Sequence, residues 1–130
     1  MSRKSVSKIF VTIDGSLASF EQSAGKWHVR EDLKGLDPQV VALDPSRPTR
    51  VYSGTFGKGL WVSDNLGESW KENKSFRSKE SEGITSIGVS PKSIYVGTEP
   101  SKIYKSDNGG ETWVHLSELE RLPSSNSWSF

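Results

Sequence analysis

The side chains that could act on a ligand are few and scattered. Asp32 and Glu99 are carboxylates, and hydrolysis of a glycosidic bond ordinarily wants two such groups flanking it, roughly 5 to 9.5 Å apart. Arg30, Lys58, Arg77 and Lys102 supply cations, and Glu72 a further carboxylate. These seven form no recognisable catalytic set, and they read first as a solvated surface. Tyr52, Tyr95 and Tyr104 could serve as nucleophiles, but each sits in an alternating strand pattern and reads as core, its hydroxyl on a structural partner. His28 and His115 follow a tryptophan by one or two residues, with no carboxylate or cysteine cluster beside them, so they make a poor metal site. Gly57 and Gly59 are too isolated to cradle a phosphate. Asn73-Lys74-Ser75 spells a glycosylation acceptor that matters only in a secreted chain. No metal and no cofactor is expected.

The elements that must position these residues are constrained by composition. At 130 residues the chain is the size of one domain, with an apolar content of 32% that is thin but sufficient to fold. Seventeen basic and sixteen acidic side chains are interspersed, so no broad positive field favours nucleic acid or anionic lipid. The absence of cysteine removes disulfides, thiolate metal sites and cysteine nucleophiles together. After a basic start, the apolar residues Ile9, Phe10 and Val11 are interrupted by Asp14, too soon for a signal segment. The expectation is a cytoplasmic protein with neither nucleic-acid nor membrane partners.

Self-comparison organises the rest. The stretch Val51 to Trp70 (VYSGTFGKGLWVSDNLGESW) overlays Ile94 to Trp113 (IYVGTEPSKIYKSDNGGETW) at a constant offset of 43, without a gap, with nine identities in twenty positions. Upstream, Val41 to Pro45 lies over Ile87 to Pro91 once three loop residues are allowed. A degenerate half copy, KIFVTIDGSLASFEQSAGKW, ends on Trp27. Within a unit the apolar period is two, with β-branched and aromatic residues bounded by Gly, Pro, Asn and Ser, which is the pattern of strands. Four strands fall near Gln39 to Asp44, Arg50 to Thr55, Leu60 to Ser63 and Ser69 to Glu72. Four more fall near Ile84 to Val89, Ser93 to Thr98, Ile103 to Ser106 and Thr112 to Leu116. About 43 residues in four antiparallel strands is the size of a β-propeller blade.

The turn shared by the copies, SDNLGESW and SDNGGETW, has a mechanical explanation. Asn65 and Asn108 can accept backbone N–H bonds through their side-chain oxygens. Gly67 and Gly110 supply positive φ, Ser63 and Ser106 add a hydroxyl, and Trp70 and Trp113 cover the hairpin with apolar area. These turns resemble the Asp-box, S-x-D-x-G-x-x-W, of the BNR repeat family of sialidase-like and YVTN/BNR-like propellers, over about Ile9 to Leu116. Both copies depart from the pattern alike: Asn65 and Asn108 replace the usual aspartate, and Asp64 and Asp107 stand one place earlier. The resemblance implies a peripheral, structural hairpin on the face away from the usual pocket. It also implies, for a sialidase-type site, an arginine triad and a tyrosine nucleophile. The six arginines (Arg3, Arg30, Arg47, Arg50, Arg77, Arg121) match no such triad, and no Arg-Ile-Pro signature precedes the first box.

The expected architecture is therefore all-β: a partial propeller of four-stranded antiparallel blades, two complete and two strands of a third. It comprises a half blade over 8–34, a blade over 39–76 with its box at 63–70, a second over 84–117 with its box at 106–113, and a tail over 118–130. On this blade order the ligand face lies opposite the boxes, formed by Phe56 to Gly59, Glu99 to Lys102, Trp27 to Pro38 and Asn73 to Gly83. A closed propeller needs at least four blades, so the chain is expected to be a fragment of a longer propeller whose remaining blades are its partners, the alternative being assembly with copies of itself, with a protein or carbohydrate ligand. The expected function is a non-catalytic binding scaffold, the alternative a sialidase-like or other glycosidase relative.

Overall fold

The computed structural model describes residues 7–77 and 82–118. They form eleven strands in three antiparallel sheets and no α-helix. The first sheet holds β1 (Ser7–Ile13), β2 (Ser16–Ser23) and β3 (Lys26–Asp32), in that order. The second holds β4 (Pro38–Leu43), β5 (Val51–Thr55), β6 (Leu60–Ser63) and β7 (Lys71–Glu72); the third holds β8 (Gly83–Val89), β9 (Ile94–Glu99), β10 (Lys102–Ser106) and β11 (Val114–His115). The last two sheets are up-and-down meanders of the same design, and the register repeats at the offset of 43: Tyr52 opposes Val62 where Tyr95 opposes Lys105. Both carry an irregularity in their first strand, between Pro38 and Val40 and between Ile84 and Ser86. The tail over 118–130 lies outside the described residues beyond Glu118.

The first sheet corrects the expectation of two strands. A third, β3, covers Lys26–Asp32, where the charged sequence KWHVRED suggested a loop beginning at Trp27. Its alternation is inverted relative to an ordinary half-buried strand. The register places Phe10, Ser19 and Arg30 in one row and Ile9, Phe20 and Val29 in the next, and successive residues face opposite sides of a sheet. The side with Phe10 and Arg30 meets the second sheet: Lys8 Nζ donates to Leu66 O at 2.5 Å and Arg30 Nη2 to Glu68 O at 2.6 Å. The apolar side, with Ile9, Val11, Trp27 and Val29, is exposed.

The main core lies between the second and third sheets. Tyr52, Leu60 and Val62 on one side meet Ile84, Ile94 and Val96 on the other, all buried, with Val40, Ile87, Val89 and Tyr104 packed around them. Phe76, from the connection between the sheets, plugs one end and makes edge-to-face contacts with Tyr104 and Trp113 at 5.2 and 5.1 Å, a favoured aromatic geometry. Of the three tyrosines read as core, Tyr52 is 1% exposed and Tyr104 half-buried, but Tyr95 is 40% exposed. Tyr95 occupies the position of Tyr52, and no described sheet lies over it as the third sheet lies over Tyr52.

Gly54 sets how near the sheets come. A Cβ there would collide with Ile84 Cγ2 and stand 3.1 Å from Val40 Cγ1. Overpacking of this kind typically costs about 1–3 kcal/mol. Gly54→Ala is therefore expected to lower unfolding stability by about 2 kcal/mol in urea titration.

Candidate functional site

Two ends of the sheet stack carry ordered polar side chains. At one end are the repeat turns, each closed by the same set of bonds. Ser63 Oγ donates to Asn65 Oδ1 at 2.8 Å and accepts from Gly67 N at 2.8 Å; Ser69 N donates to Asn65 Oδ1 at 2.9 Å, and Asn65 Nδ2 donates to Ser69 Oγ at 2.8 Å. In the second copy, Ser106 Oγ donates to Asn108 Oδ1 at 2.9 Å and accepts from Gly110 N at 2.9 Å. Thr112 N donates to Asn108 Oδ1 at 2.9 Å, and Asn108 Nδ2 to Thr112 Oγ1 at 2.7 Å. Gly67 and Gly110 have φ of +83° and +92°, where a side chain would be strained. Trp70 and Trp113 lie over these glycines, their Cζ2 atoms 3.6 Å from where a Cβ would stand. Trp113 Nε1 donates to Gly110 O at 3.2 Å, whereas the buried Trp70 Nε1 finds no partner among the described residues.

The aspartates beside these asparagines hook each turn to the residue that leads into the second strand of its own sheet. Arg50 Nε donates to Asp64 at 2.6 Å, and at the equivalent place Ser93 Oγ donates to Asp107 at 2.6 Å, with Lys105 3.4 Å away. The Arg50 guanidinium holds the Asp64 carboxyl below its usual value of 3.8, and the Ser93 hydroxyl, then Lys105, does the same for Asp107. The sequence shows this hook as a polar residue fourteen positions before each aspartate.

At the opposite end lies a cavity of about 600 Å³. It gathers three of the seven candidate residues, Lys58, Glu72 and Arg77, and adds Trp61, Lys74 and Phe76. Trp61 is the strand equivalent of Tyr104, so its pattern signalled packing, not a lining. Thr55 shapes the loop 56–59: its hydroxyl donates to Gly59 O at 2.8 Å and accepts from Lys58 N at 3.0 Å. Gly57 N donates to Glu82 O and Phe56 N to Asp37 O, both at 3.0 Å, which fixes the loop against the neighbouring connections. Trp61 Nε1 donates to Lys58 O at 3.0 Å, steadying the ring at the cavity wall. Three cations against one carboxylate make the lining electropositive.

The other four candidates stand elsewhere. Arg30 and Asp32 are strand residues paired at 3.0 Å, and Arg30 reaches the first repeat turn. Lys102 pairs at 3.0 Å with Glu82, whose side chain is 4% exposed. Glu99 ends β9 and is exposed. Asp32 and Glu99 belong to the first and third sheets, with the second sheet between them. His115 tilts over Tyr104 at 5.1 Å. Among the described residues no three His, Cys, Asp or Glu side chains gather in a group that could hold a metal ion. No described helix is long and apolar enough to cross a membrane.

This arrangement, successive antiparallel meanders stacked face to face with one repeated outer turn, defines a partial β-propeller. The chain is similar to the GH74 xyloglucanase of Xanthomonas campestris, with a TM-score of 0.58 and 19% identity. The match covers 85% of this chain and 22% of that one. No family model and no curated protein matches the chain.

Asn65→Ala removes three side-chain bonds and is expected to cost about 1–2 kcal/mol. Asn65→Asp keeps the acceptor oxygen and lets Ser69 donate in return, so it should stay within about 0.5 kcal/mol of wild type at neutral pH; chemical denaturation of both variants checks this. A depressed native carboxyl contributes stability that is present above its unfolded value and lost as pH falls through its native one. Wild-type stability should therefore fall as pH drops through 3.8 and below, and Asp64→Asn should fall less steeply over the same window.

Proposed function

We propose that the chain is a non-catalytic BNR-type propeller scaffold, in which the Asp-box turns hold the blades and the cavity at the opposite end takes the ligand. The observation that carries this reading is a division of labour. Both turns are complete down to equivalent hydrogen bonds, while the described lining of the cavity offers one carboxylate, Glu72, where glycosidic hydrolysis ordinarily wants two. Such a motif specifies a scaffold, and function then rests on the site it carries. Lys58, Lys74 and Arg77 around Trp61 favour a ligand bearing a carboxylate beside an apolar or sugar-ring face, on a carbohydrate or on a protein loop. The remaining surface of the complete assembly comes from further blades or from copies of this chain.

The second reading, a glycoside hydrolase relative, draws support from the likeness to the xyloglucanase. In that case the chain would hold part of a site whose other carboxyl lies in blades beyond it. Incubation with fluorogenic sialosides, glucosides and xyloglucan oligosaccharides separates the two. The scaffold reading expects no turnover, and binding of acidic glycans that weakens at least tenfold in Arg77→Ala, by analogy with the loss of a charge-assisted bond. Turnover abolished by Glu72→Gln, Glu99→Gln or Asp32→Asn would establish the hydrolase instead.

A further inference from the structure

We propose that copies of this chain stack head to tail, the outer face of the third sheet docking on the outer face of the first sheet of the next copy. The inference rests on the propeller scaffold reading and deepens it by naming the partner.

The interface inside the chain supplies the template. There, the face of the second sheet carrying Tyr52, Gly54 and Leu60 is covered by the third sheet. The offset of 43 carries these residues onto Tyr95, Gly97 and Ile103, and the register puts all three on one face of the third sheet, with Gly97 opposite Ile103 and Tyr95 opposite Lys105. The third sheet thus repeats, on its outer side, the aromatic–glycine–aliphatic pattern that receives a neighbour one sheet earlier. Tyr52 is 1% exposed and Tyr95 40%; the pattern is the same and the cover is missing. At the other end of the stack, Ile9, Val11, Ile13, Trp27 and Val29 make a β-branched and aromatic surface, each residue 40% exposed or more. That is the character of the buried surface formed by Ile84, Ile94 and Val96, which covers Tyr52. One chain therefore presents a receiving face at one end and a covering face at the other.

A contiguous apolar sheet face normally finds a partner, and a second copy satisfies both ends with one contact type. The pairing is heterologous: two different patches meet, and repetition closes into a ring if the rotation permits.

Sedimentation velocity of the whole chain with Val29→Asp and Tyr95→Asp tests this directly. Both positions are exposed, so the variants should keep the wild-type circular dichroism and a cooperative unfolding transition, with a midpoint that no longer depends on protein concentration. Wild type is expected as multiples of 14.4 kDa, and each variant as a single copy, with self-affinity at least tenfold weaker. The decisive sample is the 1:1 mixture. Each variant retains the face the other has lost, so the mixture should form a dimer and nothing larger. Wild type that is a folded single copy at every concentration overturns the stacking while leaving the scaffold reading intact, and assigns the faces to other blades. Variants that assemble like wild type, or a mixture that stays monomeric, overturn it as well. Should either variant lose its fold, Val114→Asp and Trp27→Asp make the same test at positions 62% and 50% exposed.

Discussion

Sheets share a core only where their backbones come close enough for side chains to interlock, and here that distance is set by the contact of Gly54 with Ile84. The absent Cβ lets β5 approach β8, so that Tyr52, Leu60 and Val62 reach Ile94 and Val96 with no gap between. Interiors are close-packed, and a gap of even a methyl group is felt. With an apolar content of 32%, the chain has little surplus to fill a looser interface.

The repeat turns act on a different scale. Their bonds are local, and each serine hydroxyl links an asparagine side chain to a backbone amide four residues on. This fixes the outgoing strand and lays Trp70 or Trp113 over its glycine. The second turn is also gripped by the preceding sheet: Asn73 Nδ2 donates to Gly110 O at 3.1 Å, and the Ser75 hydroxyl reaches the same carbonyl. Lys8 plays that part for the first turn, at Leu66 O. The turns therefore connect sheets as well as strands, which leaves the opposite end free to vary. There the loop 56–59 and the connection after β7 bring Lys58, Glu72 and Arg77 around Trp61.

Much of this was legible in the sequence, for physical reasons that particular residues show. The strands around Val51–Thr55 and Ile94–Glu99 stood out because both carry β-branched and aromatic residues ahead of a Gly-Thr pair, repeated at one spacing. The turn chemistry of Ser63, Asn65 and Gly67 was readable because each residue acts within its own hairpin. What depends on neighbours was not. β3 was hidden because its apolar residues Trp27 and Val29 face outward and Arg30 faces in, to a backbone carbonyl 38 positions away. Tyr95 was read as core because periodicity reports which face a residue occupies and not whether that face is covered. The cavity was half legible: Lys58 and Arg77 lie on loops that the blade order brings beside Glu72 at the end of β7, whereas Arg30, Asp32, Glu99 and Lys102 share only their polarity with them.

The close approach of the second and third sheets is open to one direct observation. In solution, nuclear Overhauser contacts from the Ile84 methyl groups should appear at the Gly54 Hα protons and the Tyr52 ring, together with those between Phe76 and Trp113. Ile84 methyls that instead show contacts only within their own strand, with Gly54 free of any partner across the interface, would contradict face-to-face packing of the repeated sheets.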